Sequence, residues 1–125
     1  MKYILFCEDS PMYNKPGCEG ISEKFPEHKV ISTFSGEDSI EEIAACLDDL
    51  ELVLTDGQLS GKMKGWNLAE ELRKMGYKGH IVYIGASSIP DGVDPDLFTG
   101  FFPKRVGTFR DLKKDFASIA QYYLE

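Results

Sequence analysis

Four ionisable residues stand at places where this chain can bring them together. Glu8 and Asp9 follow the apolar run Tyr3 to Cys7. Asp56 follows Leu52 to Thr55, and Lys104 follows the run Leu97 to Phe102 and Pro103. Three converging carboxylates repel one another unless a cation neutralises them. Mg²⁺ is the natural choice, a hard ion that takes oxygen ligands and keeps several waters. Metal and Lys104 together would neutralise a phosphoryl group delivered to Asp56. Phosphoryl transfer asks mainly for positioning and charge neutralisation, and a carboxylate is an established nucleophile for it. Each residue alone has a plainer reading. Glu8-Asp9 could open a solvated loop, Asp56-Gly57 could be a turn, and Lys104 could be a surface lysine. The four together, each closing an apolar run, favour a site.

The elements that must position these residues alternate. The unbroken apolar run Tyr3 to Cys7 reads as a strand buried on both faces. Lys29 to Phe34 is a weaker strand with Val30, Ile31 and Phe34, and further strands read at Leu52 to Thr55, Ile81 to Ile84 and Leu97 to Phe102. Ser39 and Glu42 read as a capping box, ahead of a helical face of Ile40, Ile43, Ala44 and Leu47. Leu68, Leu72 and Met75 mark a helix ending near Gly76. Leu112, Phe116, Ile119, Ala120 and Tyr123 mark a terminal one, with Thr108 as its N-cap. Strand–helix alternation predicts an α/β fold, a doubly wound parallel sheet with its ligand site at the carboxyl ends of the strands. Two helices read poorly. Pro16, Gly17 and Gly20 predict a loop over 11–26 with at most one short helix around Ile21 to Phe25. Pro90, Gly92 and Pro95 reduce the fourth helix to a single turn or nothing.

The 125 residues suit one domain, 1–125. A formal charge of −7 opposes binding to phosphate backbones, so nucleic acid is not an expected partner. Cys7, Cys18 and Cys46 form no CxxC pair, and free thiols together with a start that lacks a signal-peptide pattern predict a cytoplasmic protein. No apolar stretch is long enough to span a membrane. His28 and His80 are isolated, which argues against zinc. Gly57 to Lys62 is one residue short of a phosphate-binding loop, and Met63 stands where Ser or Thr is needed. A flavin phosphate would meet carboxylates. A phosphatase using Asp56 would want a nearby general acid, and Gln58 sits where one would be.

Four segments carry a resemblance to the receiver domains of two-component response regulators: Ile4 to Pro11, Leu52 to Leu59, Gly65 to Leu68, and Gly100 to Lys104. The match of element order runs over nearly the whole chain. The resemblance implies five strands in the order 2-1-3-4-5. It implies that Asp56 accepts a phosphoryl group from the phosphohistidine of a sensor kinase or phosphotransfer protein. Glu8, Asp9, Asp56 and the backbone carbonyl of Gln58 would hold Mg²⁺. Lys104 would contact the phosphoryl group, and Phe101 would be the switch aromatic on the fifth strand. The protein would be a stand-alone signalling domain rather than an enzyme. Receivers often self-associate through the fourth- and fifth-element face, and its thinning here predicts a monomer.

The sequence also departs from that pattern. Gly85 stands where receivers carry Thr or Ser, leaving Ser87, or Ser88, as a substitute hydroxyl. Arg105 replaces the usual Pro after the lysine, so a cis bond there is not expected. Ser60 takes the place of a Pro in the loop Ser60 to Gly65, which looks one residue longer than usual. These departures keep a second reading open, a pseudo-receiver that binds partners without phosphorylation.

Overall fold

The computed structural model describes residues 1–86 and 88–125. Its five strands are β1 (Lys2–Cys7), β2 (His28–Thr33), β3 (Leu50–Asp56), β4 (His80–Gly85) and β5 (Gly100–Pro103). They form one parallel sheet in the order β2-β1-β3-β4-β5. The helices are α1 (Pro11–Lys24), α2 (Gly36–Ile43), α3 (Gly65–Lys74) and α4 (Phe109–Leu124). The expected doubly wound α/β architecture and strand order are therefore present.

Side chains alternate across a strand, so each central strand feeds two cores. Ile4, Phe6, Leu52, Leu54, Val82 and Ile84 pack under α1 and α4 with Ile21, Leu112 and Phe116. Leu5, Cys7, Val53, Ile81 and Tyr83 pack under α2 and α3 with Ile43, Leu68 and Leu72. Phe6 meets Phe116 edge-on at 5.1 Å, and each buried Phe contributes about 1.5–3 kcal/mol. Among the described residues, no helix is long and apolar enough to cross a membrane.

The expectation of an irregular first helix is wrong. α1 runs 14 residues from Pro11, with Pro16 inside it. The residues read as breakers are there for packing. A Cβ on Gly17 would lie 2.5 Å from the Phe6 ring, and one on Gly20 would strike the Lys113 carbonyl of α4. Close approach to β1 and α4 demands glycine, and the packing gained outweighs the poor local propensity.

Other boundaries moved for local reasons. α2 begins at Gly36, three residues before the expected capping box. Ser35 caps it, accepting from the Asp38 amide at 3.1 Å. Ser39 is buried, and its hydroxyl pairs with Thr33 Oγ1 at 2.6 Å. Leu47 falls in a 3₁₀ turn, Leu47–Asp49, rather than in the helix. α4 starts as expected, with Thr108 accepting from the Asp111 amide at 3.2 Å.

The fourth helix is reduced to the 3₁₀ turn Pro95–Leu97, as expected, so β5 begins at Gly100 rather than Leu97. Arg73 on α3 fastens this segment. Its guanidinium donates to the Leu97 carbonyl at 2.9 and 3.1 Å, and to Tyr77 and Gly79 carbonyls at 2.9 and 2.8 Å. Its planar fork of donors suits such a multiple contact.

The packing role of Gly20 can be tested by Gly20→Ala. The new methyl meets a backbone carbonyl, so α1 and α4 must separate. Thermal or denaturant unfolding should show a loss of about 1–3 kcal/mol. A neutral or stabilising effect, as expected at an exposed helical glycine, would contradict the packing account.

Candidate functional site

The sheet delivers the four residues singled out by sequence to one edge. β1 ends on Cys7, and the Glu8 amide still pairs with the Thr33 carbonyl at 3.0 Å. Asp56 closes β3. Lys104 follows β5, and its amide donates to the Gly85 carbonyl at 3.0 Å. Parallel pairing of β1 with β3, β3 with β4 and β4 with β5 fixes their spacing. Asn14, buried on α1, ties the corner together. It donates to the carbonyls of Glu8 and Thr33 at 2.9 and 3.0 Å and accepts from Ser32 at 2.6 Å.

Lys104 Nζ lies 2.8 Å from Glu8 Oε1 and 3.1 Å from Asp56 Oδ2. Its other neighbour is the Tyr13 ring, whose centroid is 4.3 Å away, within cation–π range. Glu8 Oε2 accepts from the Ser10 amide at 2.9 Å. Asp56 Oδ1 accepts from the Gln58 amide at 3.3 Å, and Asp9 Oδ2 accepts from the Ser60 amide at 3.0 Å. Glu8 and Asp56 are 2% and 6% exposed, so these charges depend on each other rather than on water.

Carboxylate oxygens of Glu8, Asp9 and Asp56 lie within 4.8 Å of one another. Three carboxylates against one ammonium leave two negative charges uncompensated when all are ionised. That deficit equals the charge of one divalent cation. A small divalent ion at about 2.1 Å from its ligands holds opposite oxygens about 4.2 Å apart. The bound on the three carboxylate oxygens is of that order. The residues fit a divalent metal.

Burial pushes the Glu8 carboxyl up to about 7, against the lowering effect of the Lys104 and Ser10 hydrogen bonds. Burial works against the Lys104 charge, but the bond to Glu8 and the charges of Glu8 and Asp56 outweigh it and raise its pKa.

No family model matches the sequence, and no curated protein matches it closely enough to be counted a relative. Solved structures do match in shape. The phosphorylated cyanobacterial phytochrome response regulator RcpA is 18% identical with a TM-score of 0.79, covering 99% of this chain and 94% of that one. The Mn²⁺-bound response regulator Rcp1 is 21% identical at 0.71, covering 100% and 96%. A CheY-like receiver domain protein from Methanospirillum hungatei is 16% identical at 0.71, covering 98% and 96%. The chain has the response-regulator receiver fold.

On this receiver fold Phe101 is 49% exposed on β5. Gly85 closes β4 with no side chain to offer. Ser87, the expected substitute hydroxyl, lies outside the described residues, and Ser88 is exposed. Among the described residues no peptide is cis, including the one before Arg105.

Tyr13, Asn14 and Tyr83 were not singled out by sequence. The first two sit on α1, which the sequence disguised, and they become legible only once the turn after Asp9 is known to be helical. Glu8 also has a role that spacing alone did not show, as the nearer partner of Lys104.

Glu8 ionises less readily folded than unfolded, where a glutamate titrates near 4.5. The folded protein therefore holds a proton that the unfolded chain releases between about 4.5 and about 7. Its stabilisation is full below that window and is lost as pH rises through it. In chelator, thermal unfolding across the window should show the native protein losing stability relative to Glu8→Gln. Parallel curves for the two proteins would contradict the assignment.

Proposed function

We propose that this domain, spanning 1–125, is a response-regulator receiver that accepts a phosphoryl group on Asp56. The observation that carries the reading is the Asp56 carboxylate at a strand end, held 3.1 Å from the Lys104 ammonium and clustered with Glu8 and Asp9. The donor would be the phosphohistidine of a sensor kinase or phosphotransfer protein. An Asp56 oxygen attacks phosphorus, and the phosphorus–nitrogen bond breaks with its electron pair returning to the ring nitrogen. The histidine leaves as neutral imidazole, keeping the proton already on its other ring nitrogen. Lys104 then exchanges Asp56 Oδ2 for a phosphoryl oxygen and balances its charge.

Glu8, Asp9, Asp56 and the Gln58 carbonyl are the proposed holders of Mg²⁺, which supplies charge neutralisation to the transferring group. Tyr13 keeps the Lys104 ammonium over the site through its ring face. Output would come from docking a partner or passing the phosphoryl group on. We further propose a cytoplasmic monomer with no nucleic-acid partner, in keeping with the charge of −7. A second reading, the pseudo-receiver, draws on the bare end of β4 at Gly85.

Incubation with acetyl phosphate and Mg²⁺ tests the first reading by intact mass. The native protein should gain one phosphoryl group. Asp56→Asn, or the native protein with chelator, should gain none. Lys104→Met should slow the gain about a hundredfold or more, the scale of losing one pre-positioned charge. No gain in the native protein would favour the pseudo-receiver.

A further inference from the structure

β4 carries Tyr83 two residues before Gly85, so both present the same face of the sheet. In register Tyr83 lies between Thr55 on β3 and Phe101 on β5. Its ring leans toward the carboxyl end of the strands. A Cβ built on Gly57 would collide with the Tyr83 hydroxyl. That hydroxyl therefore fills the space a side chain beside Asp56 would take. Gly85, next along the same face, places no side chain between the hydroxyl and the strand end. The absence of side chains at Gly57 and Gly85 leaves the space that the tyrosine takes.

The other side of the ring is aromatic. Tyr83 meets Phe98 edge-on at 5.3 Å and Phe101 at 6.1 Å, and Phe98 meets Phe101 at 5.4 Å. Tyr83 is 2% exposed and Phe101 49%. One contiguous aromatic contact thus runs from Gly57, the residue after Asp56, to the surface. Burial and, after it, the negative charge of Asp56 raise the Tyr83 pKa, so the carboxylate's field reaches the phenol.

We propose that Tyr83 reads the charge carried at Asp56 and passes it to Phe101, the hydroxyl acting as a positioning group that Gly85 does not supply. The inference rests on Asp56 being a phosphoacceptor. Phosphorylation replaces a carboxylate by a group of about −1.5 to −2 charge with three strong acceptor oxygens. A phenol hydroxyl has one proton to donate and turns toward the stronger acceptor. Attraction of the hydroxyl to that acceptor also pulls the ring, which packs against Phe98 and Phe101, so both feel its displacement. Room exists for the response. A groove of about 580 Å³, lined in part by Tyr83, Gly85, Ile89, Phe101 and Pro103, opens where the fourth helix is missing.

The test uses full-length protein labelled with 3-fluorotyrosine and ¹⁵N, treated with acetyl phosphate and Mg²⁺ and followed by NMR and intact mass together. Tyr83→Phe identifies the Tyr83 fluorine resonance by its absence and keeps the ring. In the native protein both that resonance and the Phe101 amide should shift on phosphorylation. In Tyr83→Phe the mass gain should persist while the Phe101 shift is lost. Gly57→Ala, which crowds the hydroxyl from the opposite side, should give the same loss in molecules that carry the mass gain. An unmoved Tyr83 resonance in phosphorylated protein, or an unchanged Phe101 shift in Tyr83→Phe, would overturn the proposal and leave Asp56 as phosphoacceptor. No mass gain in the native protein would overturn both.

Discussion

Lys104 Nζ sits between Glu8 and Asp56, at 2.8 and 3.1 Å, where three carboxylates converge on one sheet edge. Removing it would leave buried charges with no counterpart, a loss of several kcal/mol for a buried pair. Much of the surrounding structure serves to hold this contact. The pairing of β1, β3, β4 and β5 brings the side chains together, the Gly85 carbonyl fixes the Lys104 backbone, and the Tyr13 ring covers the ammonium. The arrangement is still short of positive charge. Burial, and to a smaller degree the Asp56 charge, pushes the Glu8 carboxyl up to about 7, so the site takes up a proton where a divalent cation would otherwise balance it.

The two faces of the sheet meet this demand differently. On one side α1 lies close enough to β1 and α4 that only glycine fits at 17 and 20. That close approach brings Asn14 and Tyr13 to the strand ends. On the other side the fourth helix gives way to a short turn, fastened by the Arg73 guanidinium. The result is asymmetric. The α1 side is tightly packed around the charges, and the β4–β5 side is open around an aromatic cluster that ends at a half-exposed Phe101.

The strands and the charged residues that close them were legible in the sequence because buried parallel strands read as unbroken apolar runs. The acids after Cys7 and Thr55 and the lysine after Pro103 stand out against those runs. The missing fourth helix was equally legible in Pro90, Gly92 and Pro95. α1 was not, because its buried face is Asn14, Pro16, Gly17, Gly20 and Ile21, which leaves almost no hydrophobic period to read. Ser39 misled for a related reason, its hydroxyl bonding Thr33 Oγ1 and the Ser35 carbonyl rather than accepting from a helix amide as a cap does. Tyr83 looked like one more apolar strand residue. Its place against Gly57, next to Asp56 in the chain, follows from ring direction and from the absence of a side chain there, neither of which periodicity encodes.

The central claim is that Asp56, Glu8, Asp9 and Lys104 form one metal-dependent phosphoacceptor site. Beryllofluoride, which mimics an acyl phosphate, tests it without a donor and without turnover. ¹⁹F NMR of the native protein should show bound beryllofluoride only when Mg²⁺ is present, and none in Asp56→Asn. Bound signal that persists in Asp56→Asn, or that ignores Mg²⁺, would contradict the account, as would no binding to the native protein under any condition.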